Sequence, residues 1–338
     1  MRQILFFALA GDDCVSSWEI DSLSGKLNFL SQTSVSGRPA PLAVDDEKHI
    51  LYVGRRDVPI MSSYFIDYAD GSLNHYSDSP ELIGDPCYIS LDKTRQHIFG
   101  AYYNAGAVSV QKIHHGKFEG EVNWISTGLG AHCVMTDHAN KFVMLPHIAG
   151  EEGLNAIKLF KFDQTDGELI PNQPEQVSQP DNRGPRHYVF HPNGKFAYFS
   201  NEQECSVTSY SYDIDTGNML ELQTETTLPM HYGGVNSCAQ IKMTPDGKYL
   251  FAPNRGHDSI AGFVVDSKTG LIAQNGRTPT EPVPRVLTID LTGQYLYSAG
   301  LDSGFVSAFK IDGNGALELI DRYEVGSEPM WILAVQHQ

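Results

Sequence analysis

The chain has 338 residues, 41 acidic against 24 basic, and a net charge of −17 with no Lys/Arg-rich run. That balance excludes the basic footprint of a nucleic-acid binder and opposes docking on an anionic membrane. A hydrophobic fraction of 41% provides for a buried core, and no apolar stretch approaches the ~20 residues needed to span a bilayer. The five scattered cysteines (Cys14, Cys87, Cys133, Cys205, Cys238) form no CxxC. They read as free thiols of a reducing compartment, not as a disulfide frame or zinc site.

In chain order, the first segment is Met1-Arg-Gln-Ile-Leu-Phe-Phe-Ala-Leu-Ala10, an apolar run at the short limit for a signal peptide. A fixed-period repeat gives it a different role. Copies begin at Gly37-Arg-Pro, Gly84-Asp-Pro, Gly130-Ala-His, Gly184-Pro-Arg, Asn236-Ser-Cys and Val283-Pro-Arg. In each, a strand and a turn lead to a second strand, starting near Ile50, His97, Phe142, Phe196, Tyr249 and Tyr295. Third strands alternate, as in Ser206-Val-Thr-Ser-Tyr-Ser-Tyr212, and most end in Asp before a glycine turn, such as Asp213 and Gly217. Four short antiparallel strands at this period describe a propeller blade. WD40 repeats share the period, but their Gly-His and Trp-Asp signature does not recur. A seventh copy starts at Glu328-Pro-Met-Trp-Ile-Leu-Ala-Val335 and stops after one strand. Ile4–Ala8 and Val15–Ile20 supply its second and third strands. The expectation is an all-β, seven-bladed propeller over residues 1–338 as one domain, its ring closed by N- and C-terminal strands that leave no open sheet edge.

The first strand of a blade lines the central channel, so equivalent positions form rings. One ring holds Pro39, Pro86, His132, Arg186, Cys238, Arg285 and Met330, with His187 following Arg186. The loops after the second strands rim the same mouth and offer Arg55, Arg56, Tyr103, Asn104, His147, Asn201, Glu202, Asn254 and Arg255. In an acidic chain, that cluster of arginines points to an anionic or carbonyl-rich ligand. Glu202 is equally able to serve as an ion-pair partner for Arg186 or Arg255. His191, in His-Pro-Asn-Gly194, reads as turn chemistry, and His114-His115 as an exposed turn tip. No GxSxG elbow, glycine-rich phosphate loop, HxH or HExxH occurs, so neither cofactor nor metal is expected.

Gly184-Pro-Arg-His187 with Asn201-Glu202, Tyr103-Asn-Ala-Gly-Ala-Val-Ser-Val110, and Val325-Gly-Ser-Glu-Pro-Met-Trp331 resemble the seven-bladed propeller lactonases. That family includes bacterial 6-phosphogluconolactonase of the propeller type and the fungal carboxy-muconate lactonizing enzyme. The resemblance covers essentially the whole chain. It implies a cytoplasmic hydrolase, monomeric or weakly dimeric, acting on a small sugar lactone, with His132, Glu202, Arg186 and Arg255 as its catalytic set. His132 or Glu202 would be the general base, and the arginines would stabilise the oxyanion. Arg55, Arg56, Tyr103, Asn104, His147, His187, Asn201 and Arg285 would line the substrate site, with the Arg55–Arg56 pair holding a distal phosphate. Residues 147–155, with Glu151-Glu152, depart from the family pattern on one side of the mouth. Cycloisomerisation of a carboxy-muconate and a non-catalytic binding propeller are the alternatives.

Overall fold

A computed structural model describes residues 2–336. It contains seven antiparallel sheets with strands in sequence order except where the chain ends meet; six have four strands, and one has five because its inner strand is split in two. Blades 1 to 6 comprise residues 39–78, 88–126, 135–178, 185–226, 237–279 and 284–324. Blade 7 takes its inner strand, Pro329–Gln336, from the C-terminus and its other three from Gln3–Leu9, Cys14–Ile20 and Leu27–Ser34. Gln3–Leu9 is buried throughout and hydrogen-bonded on both sides. The apolar run at the N-terminus is therefore a strand of the closing blade.

Recurrent side chains make the blades repeat. The carboxylates of Asp92, Asp137 and Asp290, each ending an inner strand, accept the amides that open the second strand, as from Lys141 and Phe142 to Asp137. In blade 4, His191 fills this position and accepts Asn193 N–H at 3.1 Å. The outer turns close by hydrogen bonds such as Gly217 N–H to Asp213 O at 2.7 Å. Gly217, at φ +72°, lies under the Phe142 ring of the preceding blade. The same contact recurs as Gly270 with Phe196, Gly315 with Tyr249 and Gly25 with Tyr295. These four outer turns are thus keyed to the first residue of the neighbouring blade's second strand, whereas Gly71 of blade 1 meets Ser17 and Leu30 instead.

Two inner strands are interrupted. Blade 3 keeps only Met135–Thr136, and blade 5 has Ser237–Cys238 and Lys242–Met243 with a gap between. Both face a proline in the second strand, where His132 N–H donates to Pro146 O and Ala239 N–H to Pro253 O. Proline accepts but cannot donate, so the ladder breaks there. Side chains take over: Tyr188 Oη receives Met135 N–H and donates to Met135 O, while Ser200 Oγ donates to Ala239 O. The five cysteines are free and buried.

Candidate active site

Strand parity decides which rim residues reach the channel. Arg55, Tyr102, His147, Asn201 and Asn254 occupy one register, each paired with the first residue of the third strand. Side chains alternate along a strand, so this set turns into the blade and the next residues, Arg56, Tyr103, Glu202 and Arg255, turn to the mouth. These four join Asn104, His132, Arg186, Arg285, Cys87 and Glu151 around a cavity of about 240 Å³. His187 lies just beneath, beside Trp331 and Gln240.

Three expected site residues lie outside this group. Arg55 turns away from the channel, donating from Nε to Ser36 O at 2.6 Å and from Nη1 toward Ser62. His147 is buried between Thr127 Oγ1 at 2.9 Å and Leu145 O at 3.0 Å, and burial lowers its pKa to about 4. Asn201 donates to Ser206 Oγ and Thr208 Oγ1, both at 2.8 Å, inside blade 4. All three side chains are engaged away from the channel, and Arg55, held by Ser36 and Ser62, does not reach the position of a distal phosphate in the mouth.

At the centre, Glu202 Oε2 lies 2.6 Å from Arg186 Nε and 3.1 Å from Arg255 Nη2. These are close ion pairs whose angles leave Arg186 Nε and Glu202 Oε2 short of hydrogen-bond alignment. Arg186 is only 2% exposed, and among the described residues its Nη1 has no hydrogen-bond partner. Arg255 Nη2 also donates to Cys238 O at 2.8 Å. Arg56 donates from Nε and Nη2 to the single oxygen Asp85 Oδ2, at 2.9 and 2.7 Å. Arg285 lines the mouth, and among the described residues it makes no close ion pair or hydrogen bond. Desolvation and then repulsion from Arg186, Arg255 and Arg56 lower its pKa to about 9; Arg186, desolvated beside Glu202, falls to about 10. Both remain cationic at neutral pH. The Glu202 carboxyl is held below its ordinary value, where attraction from Arg186 and Arg255 outweighs its burial.

Below the arginines, His187 Nε2 and His132 Nδ1 lie 3.2 Å apart, so one ring donates to the other. Desolvation, reinforced by the guanidinium charge of Arg186, holds both imidazoles well below the usual histidine pKa. They are neutral at pH 7. Cys87 also faces the cavity, but burial raises its pKa to about 11 and it stays a thiol. Tyr103 Oη donates to Glu151 Oε2 at 2.9 Å, bringing a carboxylate of the 147–155 loop across the mouth. Four guanidinium groups thus meet the carboxylates of Asp85, Glu151 and Glu202. Asp85 and Glu151 were not among the expected site residues. Asp85 had a signal, since Gly84-Asp-Pro opens a repeat copy. Among the described residues no three of His, Cys, Asp and Glu converge as a metal site.

A larger groove of about 650 Å³ lies between blades 6 and 7, but Asp12, Asp302, Glu324 and Glu328 line it. Those acids repel the ligand class that the channel attracts.

The family profile described as "Lactonase, 7-bladed beta-propeller" matches residues 10–334. The chain belongs to the seven-bladed β-propeller lactonase family. A 6-phosphogluconolactonase of Cronobacter sakazakii is 34% identical over 335 residues, 98% of each chain. One from Klebsiella pneumoniae is 33% identical over the full length of both. Among solved structures, a periplasmic gluconolactonase of Pseudomonas aeruginosa superposes with a TM-score of 0.91 over 99% of both chains at 22% identity. At that identity the likeness concerns the fold, and the lactonase propeller is shared in full.

Proposed function

We propose that this lactonase hydrolyses 6-phosphogluconolactone or a closely related sugar lactone at the channel mouth, releasing the aldonic acid. Sugar-lactone hydrolysis is the reaction class supported by the full-length relatives. The observation that carries the site is the convergence of Arg186, Arg255 and Arg285 over a neutral His132–His187 pair. His132, oriented by His187, takes a proton from water as the water adds to the lactone carbonyl. Arg186 and Arg255 stabilise the oxyanion that forms. When the carbonyl re-forms, the ring C–O bond breaks, and the leaving alkoxide takes the proton back from His132. Glu202, with one oxygen between two guanidinium groups, positions those groups instead of serving as the base. Arg285, with no carboxylate within ion-pair distance among the described residues, binds the anionic group of substrate or product.

The test is a panel of phosphorylated and unphosphorylated aldonolactones assayed by acid release, with spontaneous hydrolysis subtracted. A preference for the phosphorylated lactone that disappears in Arg285→Ala supports this assignment; a preference that survives rejects it. Five free buried thiols favour a cytoplasmic location, which fractionation of the source cells would check.

A further inference from the structure

The opposite end of the channel forms a recess of about 390 Å³ that the lactonase reaction does not use. The inner strands of blades 2 to 5 run into it, ending near Leu91, Met135, Phe190 and Met243. Arg186 and Phe190 share one strand, so the two ends lie ~13 Å apart at 3.3 Å per residue. Between them the channel is plugged by rings: Tyr88 packs edge-on against Trp331 and His187, at 5.2 Å between centroids in each case. The Tyr88 hydroxyl donates to the Met135 sulfur at 3.3 Å, so Tyr88 and Met135 close the floor of the recess.

Two lysines face this apolar wall. Lys242, half-buried, and Lys93, exposed at the rim, both line the recess, and among the described residues neither ammonium makes a close ion pair or hydrogen bond. This is unusual in a chain with 41 acidic residues against 24 basic. Asp92 and Asp137 attract Lys93 from beyond ion-pair distance, while their oxygens accept the amides of Gln96 and His97 and of Lys141 and Phe142. His138, also on the wall, spends Nε2 on His191 O at 3.1 Å. Two cations above methionine, leucine and phenylalanine side chains match a ligand with an anionic head and an apolar body. A polyol would leave the apolar wall uncovered, so the front-site substrate class does not fit.

We propose that the recess is a second binding site, selective for a small organic anion with an apolar body, of the aryl phosphate or aromatic carboxylate class. The probe is phenyl phosphate, titrated into the full-length protein by calorimetry beside inorganic phosphate and phenol. The expected result is phenyl phosphate binding at least tenfold tighter than either half alone. Lys242→Met with Lys93→Met should weaken it at least tenfold, Lys242→Arg should retain it, and Arg285→Ala at the front mouth should leave it unchanged. Lactonase turnover in the lysine variants reports that they are folded. Equal binding of inorganic phosphate, or loss of binding in Arg285→Ala but not in the lysine pair, would overturn the assignment.

Discussion

Among the described residues no carboxylate lies within ion-pair distance of Arg285, which feels Glu202 only from farther off, whereas Arg56 has Asp85 and Arg186 and Arg255 share Glu202. An incoming anion therefore gains most at Arg285, where it relieves repulsion from three other guanidinium groups. Replacing Arg285 with alanine is expected to raise KM for a phosphorylated lactone at least tenfold while kcat stays within about threefold, because uniform binding is lost. Steady-state kinetics separates the two, and a drop confined to kcat would place Arg285 at the oxyanion instead. A second expectation concerns pH. His132 and His187 are held neutral below the usual histidine pKa, so the base form persists as pH falls through ~6.5. The acid limb of kcat/KM should therefore lie below pH 6.5; a limb at or above it would contradict a buried, arginine-flanked base. Nine of the expected site residues gather at the channel because ring equivalence was readable from the repeat. Arg55, His147 and Asn201 were misassigned by one residue of strand parity, which a loop boundary in the sequence does not reveal.

Glycine turns and second strands were each legible as local patterns. Their mutual contact was not, since it joins different blades and depends on the stagger of the ring. Gly217 makes the point: at φ +72° a side chain is strained, and a Cβ would overlap Phe142. Gly217→Ala is expected to lower stability by ~1–3 kcal/mol. Thermal unfolding would register this as a fall of several degrees, and an unchanged midpoint would show that the contact yields at no cost. The broken inner strands of blades 3 and 5 were also hidden. Pro146 and Pro253 stand in plain sight, but the effect of a missing N–H depends on which neighbouring strand it would have faced.

Closure of the ring by Gln3–Leu9 was readable because the terminal copy stops after one strand and the N-terminus supplies its complement. Removing residues 1–10 exposes the edges of Cys14–Ile20 and Pro329–Gln336, and the truncated chain should aggregate or fail to fold. A soluble, active truncation would refute the closure. Acid stability is a property of the whole molecule as well. His97, His132, His147, His187 and His191 all have lowered pKa values, chiefly through burial. Below pH ~6.5 the unfolded chain takes up protons that the folded chain refuses, so stability falls with pH. The slope is ~1.4 kcal/mol per pH unit for each fully neutral histidine. Denaturant unfolding at pH 7.5 and 5.5 would reveal the loss; equal midpoints would mean these rings protonate in the fold.

The most direct test of the channel as a lactonase site is turnover of 6-phosphogluconolactone by Arg186→Ala. Arg186 touches Glu202 and faces the cavity from a fully buried position, so its loss should lower kcat/KM by ~10²–10³ with the fold intact. A folded variant within threefold of the unaltered protein would contradict the account.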